Sequence, residues 1–425
     1  MNNKIVKKVS DRLGCEMYSI HHDSGLDILV YPMPDYGSTY AIFGTRYGSV
    51  DNCFCIDGDD DFVTVPDGIA HFLEHKLFEN EECDAFARYA KTGADANAYT
   101  SFDKTCYLFS CTDNFEQSLE ILLDFVTSPY FTAETVQKEQ GIIGQEIRMY
   151  DDLPSWQLFF GAIKALYKNL SVTADIAGTV ESIAQITPEH LYRCYNTFYS
   201  LDNMVLCVSG NVTPEQVLAV ADKVLKKGKR VERQRKYADE PETVNQKRLV
   251  KHFPVPTPLF TIGYKEKYTS AIKESDEAFS EILIELLCGK TSPLFRKLLD
   301  DELVNERFGG EFFHGPGYRS LLFTGESKNP EAVKKALDDQ IELLKTEGVN
   351  SADFERARRL VYGRLIKMLE TADDTANLAA DCYFGGRDIF TLIDTVATAS
   401  PSDIDERLAL INTEHSAISI VEQEV

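Results

Sequence analysis

Hydrophobic and polar positions alternate through MYSIHHDSGLDILVYP (residues 17–32), and the Asp-Ser-Gly inside that run predicts a hairpin. A further strand is predicted near Tyr40 to Tyr47. Helical spacing takes over in PDGIAHFLEHKLF and in CDAFARYAKTG, where Asp84 stands as N-cap and Gly93 as stop. ANAYT and TCYLFSC return to strand, and NFEQSLEILLDFV and AETVQKEQGIIGQEIRMY read as amphipathic helices. TPEHLYRCYNTFY opens with Thr187 as cap and Pro188 at the first helical position. NMVLCVSG then reads as a buried strand, and TPEQVLAVADKVL as a second Thr-Pro-Glu helix start.

The same order returns after residue 247. Strands are predicted around RLVKHFPV and PLFTIGYK, helices in EAFSEILIELLCG and SPLFRKLLDD, and strands near Phe312 and from Ser320 to Gly325. Helices follow in EAVKKALDDQIELLK, ADFERARRLVYGRLIKMLE and SPSDIDERLALI, and HSAISIV closes the pattern. The order implies an α+β fold of two related domains, each an antiparallel-rich sheet with helices on one face. The most charged stretch, KKGKRVERQRKYADEPETVNQK, reads as a solvated connection. The expected division is residues 1–228, a linker at 229–246, and residues 247–425.

Charge and composition narrow the function. The chain has 425 residues with 44 Lys and Arg against 68 Asp and Glu, a net charge of −24. Phosphate binding needs clustered cations, so no nucleic-acid partner is expected, and no docking on anionic lipid. No apolar run reaches the length of a membrane span, and MNNKIVKKVSDRLG has no apolar core of a signal peptide. The ten cysteines are spread as in a protein of the reducing cytoplasm, and Cys53-Phe-Cys55 has no companion pair to make a zinc site.

The chemistry concentrates at His71-Phe72-Leu73-Glu74-His75. On a helix, residues four apart share a face, so two imidazoles can aim at one point. A catalytic zinc takes three protein ligands and keeps one position open. Glu74 can reach a water there without being a ligand, and the H-x-x-E-H order is the mirrored form of the commoner zinc motif. Chance gives such a pentad in a chain of this composition on the order of 0.01 times. The flanking Ile69, Ala70, Leu77 and Phe78 make the helix largely apolar, so its polar groups need partners. The third ligand is assigned to Glu146. Glu139 lies two turns earlier on the same face and is assigned to orienting a histidine or sharing a proton. One Zn2+ per chain is implied. His21 and His22, beside the hairpin turn, are expected to be exposed and structural. No G-x-S-x-G elbow and no Walker-type loop occurs.

These segments resemble the inverzincin metallopeptidases of the insulinase, pitrilysin and mitochondrial-processing-peptidase type. PDGIAHFLEHKLF is similar to the zinc helix of that family, GADANAYTSFDKTCYLF to its substrate-binding hairpin, and KEQGIIGQEIRMYDDLPS to the segment with the distal zinc glutamate. YSLDNMVLCVSGNVTPEQV is similar to the end of its first domain. The likeness is specific over residues 15–225 and weaker over 245–425, where GKTSPLFRKLLDDEL matches a second-domain helix. It implies His71, His75 and Glu146 as ligands and Glu74 as base. It also implies that substrate peptide adds as a strand along Ala96, Asn97, Ala98, Tyr99 and Thr100. Family members enclose substrate between clam-like halves, so a chain of two domains implies a homodimer or a heterodimer with a related subunit. The family's Arg and Tyr, seven residues apart, fall here on Leu299 and Glu306, which cannot donate to an oxyanion; Arg296, Arg307 and Tyr318 are the candidates to replace them. The resemblance leaves open an assembly or binding subunit of weak or no activity, and a hydrolase acting on something other than a peptide.

Overall fold

The computed structural model describes residues 5–81, 83–228, 230–267 and 273–424. In chain order the elements are β1 (Ile5–Val9), β2 (Glu16–His21), β3 (Asp27–Pro32), β4 (Thr39–Thr45), β5 (Cys53–Ile56), β6 (Val63–Thr64), α1 (Ile69–Leu77), α2 (Ala85–Thr92), β7 (Asp95–Thr100), β8 (Thr105–Cys111), α3 (Phe115–Val126), α4 (Ala133–Asp151), α5 (Pro154–Leu166), α6 (Val180–Ile183), α7 (Pro188–Phe198), β9 (Met204–Gly210), α8 (Pro214–Val224) and β10 (Arg233–Arg235). The rest are β11 (Arg248–His252), β12 (Leu259–Lys265), α9 (Glu274–Cys288), α10 (Pro293–Asp300), β13 (Gly309–Gly315), β14 (Tyr318–Glu326), α11 (Pro330–Glu347), α12 (Ser351–Met368), α13 (Ala372–Phe384), α14 (Ile389–Thr398), α15 (Pro401–Leu408) and β15 (Ser416–Glu422). The α+β class follows directly.

Two compact units form, and each takes a segment from the other half of the sequence. The first holds Met1–Ile147, Asp175–Lys236 and Lys367–Phe390; the second holds Arg148–Ala174, Tyr237–Ile366 and Thr391–Val425.

In the first unit seven strands lie in the order β1-β2-β3-β9-β4-β8-β7. β3 and β9 are parallel, and the other pairs are antiparallel. Side chains alternate across the sheet. Phe43 points into a core shared with Phe72 and Leu73 of α1 and Leu119 and Leu122 of α3. The next residue, Gly44, faces the other way, where an added Cβ would meet the Phe384 ring of α13 at 3.0 Å. α13 therefore covers the second face of this sheet.

The sheet of the second unit runs β11-β15-β12-β14-β13. Its pairings repeat those of β3-β9-β4-β8-β7: β11 and β15 are parallel and the rest antiparallel. Here too one helix takes the opposite face. Tyr264 donates to Asp338 of α11 at 2.7 Å, while Gly263 packs against Leu166 of α5.

Two expectations need correction. His22 is buried, not exposed: it is 3% accessible, with Ser24 Oγ 2.7 Å from Nδ1 and Asp222 Oδ1 3.0 Å from Nε2. It ties the β2–β3 turn to α8, contacts that local sequence cannot reveal. The charged stretch before residue 247 is not wholly a solvated loop. Arg233–Arg235 pair with β5, Arg235 meets the buried Asp51 at 2.8 Å, and Glu240 meets Lys265 at 2.7 Å. Buried opposite charges recruit its arginines and glutamates.

Candidate active site

α1 begins at Gly68, whose φ of 89° is the left-handed region that favours glycine. A Cβ there would lie 2.4 Å from the Ala177 carbonyl oxygen, so only glycine lets the helix start so close to that loop. Ile69, Ala70, Phe72, Leu73 and Leu77 anchor the helix in the core. The remaining face carries His71 and His75, with ring centroids 4.6 Å apart.

α4 brings Glu146 to both rings. Its Oε1 is 3.7 Å from His71 Nε2, and its Oε2 is 3.6 Å from His75 Nε2. One ligand atom from each of the three residues lies within 4.8 Å of the others. Zinc bonds of about 2 Å to nitrogen and oxygen can span such a group, so the donor set fits a single ion. Burial depresses His71 to a pKa of about 3, which keeps its ring a neutral donor. Burial also opposes the charged form of His75, but Glu139 and the neighbouring Glu74 and Glu146 outweigh it and raise the pKa. Glu139 Oε1 stands 3.0 Å from His75 Nδ1.

Glu74 is 8% exposed, and burial pushes its carboxyl above the ordinary glutamate range. The Thr100 hydroxyl donates to Glu74 Oε2 at 2.6 Å and opposes that rise. Thr100 ends β7, the strand at the edge of the first sheet. Ala96 and Ala98 pack against the core, while Asn97 is exposed. Ala98 donates its backbone N–H to Asn97 Oδ1 at 2.9 Å. Tyr99 is half-buried on the same strand.

A cavity of about 640 Å3 opens beside Glu74 and His75, with Asn97 and Ala98 on its lining. Its other residues include Phe78, one of the apolar flanks of the α1 motif, and Phe86 and Ile142, which no sequence motif marks. They gather from the end of α1, the start of α2 and the middle of α4. The available signal is Phe86, a large apolar residue two places after the Asp84 cap on the exposed side of α2.

The positions expected to hold an oxyanion donor do not supply one. Leu299 is 39% exposed on α10, and Glu306 lies 3.9 Å from Lys290. Arg307 pairs with Glu326 at 2.8 Å, and Tyr318 is buried beside Phe313.

Comparison with known proteins follows the same lines. Residues 65–180 match the family described as Insulinase (Peptidase family M16), and residues 185–361 match Peptidase M16 inactive domain. The chain is 38% identical over 396 residues to the uncharacterized zinc protease YmfH of Bacillus subtilis, covering 91% of this chain and 92% of that one. It superposes on an M16-like peptidase from Alicyclobacillus acidocaldarius with a TM-score of 0.91 and 32% identity, over 100% of this chain and 99% of that one. Pitrilysin shares the fold at a TM-score of 0.75 and 16% identity, with 99% of this chain matching 46% of that one. The chain belongs to the insulinase family of peptidases, family M16.

Proposed function

We propose that the chain is a zinc-dependent endopeptidase or oligopeptidase, with one Zn2+ held by His71, His75 and Glu146 and with Glu74 as general base. The observation that carries this reading is the convergence of three donor atoms within 4.8 Å beside a buried carboxylate on the same helix. Zinc so held supplies Lewis acidity towards water and a peptide carbonyl. Glu74 has one oxygen occupied by the Thr100 hydroxyl. Its Oε1 takes the proton of the attacking water and returns it to the leaving amine.

Substrate adds to β7 as a further antiparallel strand. The Ala98 N–H now bonded to the Asn97 side chain turns to a peptide carbonyl, and Asn97 swings aside. Ala96, Tyr99 and Thr100 set the register of that strand. Cleavage of a panel of peptides, esters and small amides tests the reaction class. Glu74→Gln keeps zinc and loses turnover, whereas His71→Ala loses both. Hydrolysis that survives Glu74→Gln rejects the assignment.

The active form is taken to be a pair of chains, a homodimer or a heterodimer with a related subunit. Two observations support this: the chain spans under half of pitrilysin, and neither Leu299 nor Glu306 can act as a donor. Native mass in extract and after purification tests it. The ten unpaired cysteines favour the cytoplasm. A second reading, an assembly or binding subunit, is favoured by the inactive-domain match over residues 185–361. Bound zinc without Glu74-dependent cleavage, alone or with a partner, selects it.

A further inference from the structure

At the end of the first sheet remote from Glu74, loops enclose a second cavity of about 320 Å3. β8 runs from Thr105, which pairs with Thr100, to Cys111, which pairs with Thr39 at the start of β4. Thr39 and Cys111 line the cavity, so it lies about 20 Å along the sheet from the Thr100–Glu74 hydrogen bond.

α3 starts at this cavity without a cap. Its N-cap residue, Asn114, is left-handed with a φ of 58°, and the side chain makes no capping bond. Asn114 Nδ2 donates to the Thr92 carbonyl at 3.0 Å instead. The Ser118 N–H makes the first bond of the helix, to the Asn114 carbonyl at 3.0 Å. The N–H groups of Phe115, Glu116 and Gln117 precede it, and all three residues line the cavity. Thr39 reaches the same space from the sheet. It shares a face of β4 with Ala41 and Phe43, the face that α3 covers, and is 4% exposed. Among the described residues its hydroxyl has no partner, although buried hydroxyls ordinarily have one.

Acceptors stand beside these donors. Asp113 and Glu116 are exposed members of the lining, and Glu116 has only Oε1 engaged, by Gln216 at 3.4 Å. Among the described residues no Lys, Arg or His lines the cavity. A bare anion would meet two carboxylates and no cation. A bare cation would leave three amides and a buried hydroxyl unused. A molecule with carboxylate and ammonium on adjacent atoms satisfies both sets. Tyr36 and Phe115, both half-buried, supply apolar surface. We propose that this cavity binds a free α-amino acid with an apolar side chain. Its carboxylate lies on the amides of residues 115–117 and the Thr39 hydroxyl, its ammonium on Asp113 and Glu116, and its side chain against Tyr36 and Phe115. The volume suits one such molecule. The site is separate from the proposed zinc centre and does not rest on the peptidase reading.

The test is calorimetric titration of the zinc-loaded full-length chain with L-leucine, L-leucinamide, N-acetyl-L-leucine and inorganic phosphate. Leucinamide lacks the carboxylate and N-acetyl-leucine lacks the ammonium. Leucine is expected to bind with a Kd of about 1 mM or below, and the other three at least about tenfold more weakly. Thr39→Val keeps the shape of the side chain and should weaken leucine at least about fivefold. Asp113→Asn/Glu116→Gln keeps the backbone amides and should bring leucine and N-acetyl-leucine within about twofold of each other. His71→Ala, which removes a zinc ligand, should leave leucine binding unchanged. Circular dichroism of each variant checks the fold, and either of the two cavity variants suffices. Leucine binding that is lost in His71→Ala and kept in Thr39→Val moves the ligand to the zinc centre and overturns the site. Phosphate or N-acetyl-leucine binding as tightly as leucine overturns the zwitterion assignment, and no binding up to about 10 mM overturns the proposal outright.

Discussion

Glu139 Oε1 lies 3.0 Å from His75 Nδ1, on the side of the ring away from Glu146. A carboxylate there favours the tautomer with a proton on Nδ1 and so leaves the Nε2 lone pair for a metal. Glu139→Ala removes that orientation while His71, His75 and Glu146 remain. Zinc affinity is expected to fall about 10–100-fold, with the circular dichroism spectrum retained. Competition against a chromogenic chelator measures it, and unchanged affinity would reduce Glu139 to a packing role.

The second unit contains a counterpart of this arrangement with different chemistry. α9 is the first helix after β12 as α1 is the first after β4, and EILIELL (281–287) keeps the apolar residues that HFLEHKL (71–77) has at its second, third and seventh places. Ile282, Leu283 and Leu287 are as fully buried as Phe72, Leu73 and Leu77. Glu281 and Glu285 thus occupy the places of the two histidines, and Arg364 of α12, ion-paired with Glu285 at 2.5 Å, occupies that of Glu146. A guanidinium paired with a carboxylate stands where the first unit has a carboxylate beside two imidazoles.

That replacement has a pH signature. Burial, with Glu285 and Glu311 nearby, raises the pKa of Glu281 above 4.5, and Arg364 opposes the rise. Above pH 4.5 the folded state therefore holds more protons at this site than the unfolded state, and stability falls as pH rises through the folded value. Glu281→Gln removes this loss. The variant is expected to be more stable than the parent by about 1 kcal/mol at pH 7.5 and equal to it near pH 4. Arg364→Ala should widen the gap at pH 7.5. Urea unfolding at both pH values reads it, and a gap that does not change with pH contradicts the assignment.

Much of the first site was legible because its signals are local. Spacing of i and i+4 places His71 and His75 together, and apolar flanks imply that their face is enclosed. Glu139 and Glu146 announce themselves as carboxylates two turns apart on a helix with buried Val136 and Ile143. What the sequence hid depends on distant contacts. The pattern does not predict α5, α13 and α14. PSWQLFFGAIKAL in α5 has apolar residues on several sides with no clean period, and the strands β11, β12 and β15 that it packs against lie about a hundred or more residues further along. The burial of His22 depends on Asp222, two hundred residues away. Nor does alternation say whether ANAYT is an edge or a central strand; the pairing of β7 with β8 at the end of the sheet decides that.

The exchange of α5 and α13 predicts how the chain tolerates cutting. A fragment ending at residue 247 loses α13, which covers the face of the first sheet carrying Gly44, and leaves α5 without the sheet that buries Leu166. Exposed apolar surface of that kind promotes association. Neither this fragment nor residues 248–425 should unfold cooperatively alone, whereas the two co-expressed should copurify and regain one sharp transition. A fragment 1–247 that is monomeric and cooperative would show that α13 is dispensable to the first sheet.

Among the described residues of the second unit, a group of enclosed opposite charges surrounds Glu266. Glu266 is fully enclosed between Arg407 Nη2 at 2.5 Å and Arg319 Nε at 3.0 Å. Arg319 also reaches Asp276 at 3.1 Å, and Arg407 donates to Ser280 Oγ at 2.8 Å. Both guanidinium groups lie over the Phe312 ring, at 5.7 and 4.9 Å. Two cations and two anions balance within the group. Glu266→Gln keeps the shape and removes one anion, leaving Arg407 without a carboxylate and Arg319 with Asp276 alone. Breaking a buried pair in this way costs about 3–5 kcal/mol, far more than the worth of an exposed pair such as Lys335–Asp339. Urea unfolding of Glu266→Gln should show that loss, and Lys335→Ala should stay within about 0.5 kcal/mol of the parent. If the two variants unfold alike, water reaches the Glu266 group and its enclosure does not govern the stability of the second unit.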